Sequence, residues 1–219
     1  MHEPLEVVAH LRGPVALPNA LALDALLGWA VVVRDGLTPA LSAAECVELA
    51  LPLAEEPGGR FYLASVSHGE VEAHENHWLH RRHPVEVAQA MGPAEQRRVK
   101  ISAGAEKSYR IPLDTVHLVG DALRWWCIGE RAEVEALLSL VAYVGKRRGV
   151  GLGRVARWEV SPCEPWEGFP VVRDGQPTRS LPPDWPGLTE GVETAYRTLR
   201  PPYWDRTREV LCAVPPWAA

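Results

Sequence analysis

The sequence predicts an α+β fold of the ferredoxin-like, βαββαβ type. Three observations lead there: two segments with helical apolar spacing, four short segments that read as strands, and the order in which they follow one another. Leu5–Arg12 mixes apolar and polar residues as a strand does and stops at Gly13-Pro14. Asn19 can cap a helix in which Leu21, Leu23, Leu26, Leu27, Ala30 and Val31 share one face, and Asp35-Gly36 ends it. Ala43–Leu53 reads as a further short helix, and Arg60–Val66 as a strand after the turn residues Pro57-Gly58-Gly59.

From about His68 to Val119 the pattern loosens into an expected long insertion, in which Val99–Arg110 reads as a hairpin turning near Ala103-Gly104. Leu123–Ile128 is a strand. Arg131–Val144 is a helix burying Val134, Leu137, Leu138, Val141 and Ala142, and Arg154–Val160 is the last strand. One domain is expected over residues 1–160 with its insertion around 68–119. The Pro- and Trp-rich remainder, 161–219, is expected to wrap that domain, without a core of its own, and to contain a short strand at Glu209–Val214.

Composition narrows the function classes. The 219 residues are 47% hydrophobic and 23% charged, average for a globular protein, so disorder and fibrous repeats are excluded. Cys46, Cys127, Cys163 and Cys212 lie far apart without a CxxC pair, which predicts neither a disulfide framework nor a zinc site and fits a reducing cytoplasm. The first residues lack a basic, then apolar, leader, and the longest apolar window, Leu21–Val33, is too short to span a bilayer. A net charge of −5 excludes a uniformly basic nucleic-acid binder but leaves room for a local basic site. Of the 23 basic residues only Lys100, Lys107 and Lys146 are lysine, a skew shared by genomic composition bias and by forked phosphate donors.

The basic site is sought first at residues 145–157, which hold four glycines (Gly145, Gly149, Gly151, Gly153) and five cations (Lys146, Arg147, Arg148, Arg154, Arg157) without one acid. Glycines let a backbone approach a ligand and turn its N–H groups outward, and guanidinium groups bind phosphate oxygens in pairs. Two common phosphate loops are excluded. No Gly-Lys-Ser/Thr ending is present, and the segment leads from helix to strand, whereas nucleotide loops lead from strand to helix. A plain basic turn remains the bland alternative.

A ferredoxin-like domain of the RRM/RAMP kind, with a basic glycine-rich loop between its last helix and last strand, resembles the RAMP superfamily of CRISPR-associated RNA-binding proteins. More narrowly, the chain resembles the handle-capping ("Cas five") subunit of type IV CRISPR effector complexes. The matching blocks are Leu23–Ala30, Val144–Arg154 and Arg200–Trp204. The resemblance implies a non-catalytic subunit that binds the 5′ repeat-derived handle of CRISPR RNA and caps the effector filament. Its implied partners are the backbone-forming and large subunits and, indirectly, target DNA, with no membrane and no cofactor. The acidic balance departs from expectation for an RNA binder.

The insertion supplies a second candidate surface. Arg97, Arg98, Lys100, Lys107 and Arg110, with Arg81 and Arg82, bring charge, and Tyr109 and Trp78 bring stacking area, a combination used for single-stranded RNA and equally compatible with a solvated surface. In the resembled family an extended hairpin, or thumb, grips the RNA, and Val99–Arg110 is its best counterpart. His74, His77, His80 and His83 recur every third residue after His68, which on a helix would bring neighbours together; a metal-binding protein organised by this cluster is therefore an alternative. So is an endoribonuclease that processes precursor CRISPR RNA with His74, His77 or His117 as base, although no nucleophile triad or paired carboxylates accompany them. Among the nine tryptophans, Trp29 and Trp158 are assigned to the core, while Trp185, Trp204 and Trp217 fit subunit contact or local packing equally.

Overall fold

In a computed structural model, which describes residues 1–17, 20–37, 49–81 and 109–216, the sheet is built around the first strand. The elements run β1 (Glu3–Leu11), α1 (Leu23–Arg34), β2 (Val71–Arg81), β3 (Tyr109–Leu118), β4 (Ala122–Gly129), α2 (Arg131–Leu138) and β5 (Val155–Pro162). Four short strands follow: β6 (Val172–Arg173), β7 (Gln176–Pro177), β8 (Thr194–Arg197) and β9 (Val210–Ala213). The mixture of helices and antiparallel strands makes the chain α+β.

The order β4-β1-β5 is antiparallel throughout and follows from alternation. Leu5, Val7 and Ala9 lie opposite Cys127, Trp125 and Leu123, and all six are buried on one face. Leu23, Leu27, Ala30 and Val31 of α1 and Val134, Leu137 and Leu138 of α2 close over that face. Full burial of each Leu or Val side chain among them contributes about 1.5–3 kcal/mol. Trp125 is fully buried, and its indole N–H donates to the Leu21 carbonyl at 2.7 Å, so its one polar atom is satisfied.

Several expectations change here. Helix α1 begins at Leu23, capped by the backbone of Ala22 with no side-chain hydrogen bond, rather than at Asn19, which lies outside the described residues. Of the short helix expected at Ala43–Leu53, residues 43–48 also lie outside them, and Leu53 instead bridges Gly129 in extended form. The strand expected at 60–66 is present only as an irregular run along the free edge of β4. Ile128 N–H donates to Leu63 O at 2.9 Å, Ser65 N–H to Trp126 O at 2.8 Å, and His68 and Arg124 exchange two bonds of 2.8 Å. The ladder breaks because Ala64 N–H turns back to Tyr62 O and the Ser65 hydroxyl, not a carbonyl, accepts the Trp126 N–H. Helix α2 ends at Leu138, not Val144. The buried Val141 and Val144 continue the apolar spacing, but Val144 N–H donates to Gly153 O, and Tyr143 bridges Arg154 as an extended chain.

The expected loose insertion contains a two-stranded ribbon. β2 and β3 pair from Val71↔Leu118 to Arg81↔Tyr109. Arg110, and the backbone of Tyr109, therefore belong to its outer end; the rest of the hairpin expected at Val99–Arg110 lies outside the described residues. The ribbon joins the body where Val116 and Val15 exchange hydrogen bonds of 2.9 and 3.0 Å.

The C-terminal part packs on the irregular edge run. Val66 N–H donates to Thr178 O, and Phe61 seats a small cluster of Val171, Val172 and Leu181 with Trp185 and Leu199 at its rim. A second apolar cluster thus exists where none was expected. The strand foreseen at Glu209–Val214 is β9, paired with β8.

Candidate nucleic-acid interface

The basic glycine-rich segment is a fixed structure rather than a loose turn. Lys146 N–H donates to Ala16 O at 2.8 Å and Gly153 N–H to Pro14 O at 3.0 Å, so the segment is stitched to the chain that leaves β1. Two glycines are required by that stitching. A Cβ at Gly145 would stand 2.5 Å from the Ala16 carbonyl oxygen, and one at Gly153 only 2.0 Å from that of Val144, with φ of +76° and +64° respectively. Between them Arg148–Val150 forms one 3₁₀ turn, entered through Arg147 in the left-handed region (φ 63°, ψ 38°) and left through Gly151 (φ 89°). Gly149 has open space around its Cα.

Lys146, Arg147, Arg148, Gly149, Gly151 and Arg154 are all exposed. Among the described residues no carboxylate pairs with Lys146, Arg147, Arg148 or Arg154, and the N–H groups of Arg147, Arg148 and Gly149 have no backbone acceptor. Unneutralised cations beside outward amides are what an anion such as phosphate needs. Arg157 differs: it donates to Glu159 at 2.7 Å, and His10 approaches the same carboxylate at 3.1 Å, so much of its charge is spent within the protein. Arg12 was not foreseen as part of the site. It is exposed, and its N–H donates to the Arg154 carbonyl at 2.8 Å, which sets it beside the loop.

The loop cations and one acidic cluster form two poles of β1. Glu3, Glu130, Glu133 and Glu135, with Arg131 among them, lie beside Met1 at its start, and the loop lies beyond its end. Nine residues of strand separate the poles by about 30 Å. The acidic total and a basic site are thus compatible.

On the ribbon the guanidinium of Arg110 lies over the Trp78 ring, 4.1 Å from its centroid. His74 meets Asp114 at 3.4 Å, and His117 meets Glu75 at 3.1 Å. His74, His77 and His80 fall on the strand β2, where positions three apart do not share a face. Among the described residues no three His, Cys, Asp or Glu side chains are placed to share a metal ion. His83, Arg97, Arg98, Lys100 and Lys107 lie outside the described residues.

Trp29 is not core as expected. It is 39% exposed on α1, and the Arg148 guanidinium stands 5.6 Å from its ring centroid. Trp158 is half-buried with its N–H on Val141 O, and Trp185 edges onto Phe61, whereas Trp204 is 54% exposed and Trp217 lies outside the described residues.

Two sequence blocks that looked unrelated touch. Tyr203 donates to both carboxylate oxygens of Asp24 at 2.8 Å, joining the Arg200–Trp204 block to the Leu23–Ala30 block. Arg179 completes the group, 3.5 Å from Asp24 and donating to the carbonyls of Tyr62, Ala64 and Leu199. Burial pushes the Asp24 carboxyl up from its usual range while Arg179 and Tyr203 pull it back, and burial also holds the Tyr203 phenol protonated. No spacing rule exposes such a contact, because its members lie far apart in sequence.

Residues 85–215, more than half of the chain and including the basic loop, match the family CRISPR type IV associated protein Csf3. The chain belongs to this family. It is therefore a Cas5-like, type IV CRISPR-associated subunit that associates with other components of that system, which is the family its sequence resembles. No curated protein is significantly similar to this Csf3-family chain. Among its described residues no helix is long and apolar enough to cross a membrane.

Proposed function

We propose that this Csf3-family subunit binds the 5′ handle of CRISPR RNA through the loop Gly145–Arg154, caps the effector filament, and does not cut the RNA. The observation that carries the reading is the exposed set Lys146, Arg147, Arg148 and Arg154 with no acidic partner among the described residues, beside amides without a backbone acceptor on a turn fixed by two sterically required glycines. Arginine stays protonated at any usable pH, so this set holds phosphate but cannot accept a proton. The histidines His10, His74 and His117 face carboxylates, Glu159, Asp114 and Glu75, rather than the loop cations.

The sheet order supports a ferredoxin-like fold. With the irregular run 61–68 counted as a strand, the order becomes 61–68, β4, β1, β5, each neighbour antiparallel, with α1 and α2 on one face. The β2–β3 ribbon leads into the segment Val99–Arg110 read as the thumb, and Arg97, Arg98, Lys100, Lys107, Tyr109 and Arg110 are its candidates for RNA contact. Backbone-forming and large subunits are the partners in a cytoplasmic ribonucleoprotein, and residues 161–219 complete the same domain as 1–160.

The test is the triple variant Lys146→Ala, Arg147→Ala, Arg148→Ala. RNA affinity falls, and the slope of log affinity against log salt flattens by about 0.7 per lost phosphate contact. An unchanged affinity and slope reject the loop. Incubating precursor RNA with the pure chain from pH 6 to 9 without divalent metal should leave it intact. Site-specific cleavage that Ala in place of His74 or His117 abolishes would establish the endoribonuclease instead.

A further inference from the structure

We propose that Trp29 and the basic loop together form a seat for one unpaired nucleotide, with the base stacked on the indole and its 5′ or 3′ phosphate held by Arg147, Arg148 and the amides between them. This rests on the RNA reading of the loop and adds a base-contacting residue to it.

Among the described residues, the two arginine–tryptophan pairs with an exposed tryptophan behave differently. Arg110 is laid on Trp78 at 4.1 Å, a closed contact in which the cation occupies the ring face. Arg148 stands off Trp29 at 5.6 Å and, among the described residues, has no carboxylate partner, so its charge is attracted to the ring without covering it. A tryptophan in the middle of a helix normally turns into the core. Its helix neighbours Leu26, Leu27, Ala30 and Val31 do so, whereas Trp29 keeps 39% of its surface in water, beside Val33 at 46% one turn along. An exposed indole next to unneutralised arginine matches the pairing by which single-stranded nucleic acid is held, stacking on an aromatic face with a cation on the backbone. The turn is shaped to allow it. Gly149 leaves open space between Arg148 and Val150, and the N–H groups of Arg147, Arg148 and Gly149 have no backbone acceptor among the described residues. A phosphate held there is one nucleotide's reach from the indole, because the arginine that contacts it already lies at the ring. Bases of any identity have a face to stack, so the seat recognises an unpaired nucleotide rather than a particular letter.

The experiment compares two probes on the full chain: single-stranded oligoadenylate of ten nucleotides, and the same sugar-phosphate strand with the bases removed. Trp29→Leu keeps the buried half of the side chain filled and removes the ring. It should weaken oligoadenylate binding about ten-fold or more, leave the salt slope as in wild type, and leave binding of the abasic strand unchanged; Trp29→Phe should recover most of the loss. The Lys146/Arg147/Arg148 triple alanine variant should lose affinity for both strands. If Trp29→Leu binds oligoadenylate as wild type does while the triple variant is weakened, the seat is overturned and the RNA-binding loop stands. If the triple variant binds both strands normally, the loop reading fails and the seat fails with it. Equal loss on both strands in Trp29→Leu would show that the indole props the loop rather than holding a base, and would also overturn the proposal.

Discussion

The arginines of the loop and Arg179 are the same residue put to opposite uses. Arg147, Arg148 and Arg154 are exposed, have no carboxylate partner among the described residues, and sit within one continuous stretch of sequence. Arg179 is 3% exposed and binds three carbonyls from two segments, the Tyr203 hydroxyl and Asp24, and even so its Nε has no partner among the described residues. Positive charge left in water can be offered to a ligand. Charge taken into the interior is consumed in holding α1, the irregular edge run and the C-terminal part together. Arginine content therefore says little about nucleic-acid binding until each guanidinium has been assigned a partner.

The largest effect should come from breaking the buried side of this comparison. Arg179→Met leaves Asp24 buried without its cation and should destabilise by about 3–5 kcal/mol. On a chain of this size that lowers the thermal midpoint by about 6–20 °C. Adding Asp24→Asn should recover part of the loss, since the uncompensated charge goes with it; a double variant no better than the single one would mean that Arg179 acts through its carbonyl contacts alone.

Gly153→Ala comes next. At φ +64° and 2.0 Å from the Val144 oxygen, the new methyl group has no room, and destabilisation should exceed about 1 kcal/mol, whereas Gly149→Ala should stay within about 0.5 kcal/mol. Equal melting of the two variants would show that the loop is not held as described.

Tyr203→Phe removes the hydroxyl that bonds both Asp24 oxygens and should cost about 1–3 kcal/mol by urea unfolding without altering RNA affinity.

The smallest effect concerns pH. His68 is half-buried, with Trp126, Arg173, Arg124 and Glu70 around it, and burial followed by the two arginines lowers its pKa from 6.5. A proton excluded from the folded state makes its stabilisation present above pH 6.5 and lost as pH falls below it. The melting temperature should therefore drop less between pH 7.5 and 5.5 in His68→Gln than in wild type; parallel curves would remove His68 from the account. On the exposed side, the loop triple variant should melt within a few degrees of wild type.

What the sequence revealed follows the same division. The loop was legible because its four glycines and its cations are contiguous, and β1, β4 and β5 because one buried face imposes alternation. The ribbon was missed because β2 is exposed along both faces wherever its side chains are described, so no period of two is written into it. The end of α2 was misplaced because Val141 and Val144 are buried at helical spacing by an extended chain. Trp29 was misjudged because apolar spacing marks a helical face without saying where that face ends.

The separation of charge along β1 has a kinetic meaning. Among the described residues, acids cluster around Met1 and unpaired cations lie past Leu11, so the two ends of the central strand carry opposite local charge, a dipole along it. A polyanion approaching from any direction exerts a torque on that dipole before contact is made, turning the basic pole forward and the glutamates away. If the loop binds RNA as proposed, productive collisions are thereby enriched over random ones, and the enrichment fades as added salt shortens the range of the field.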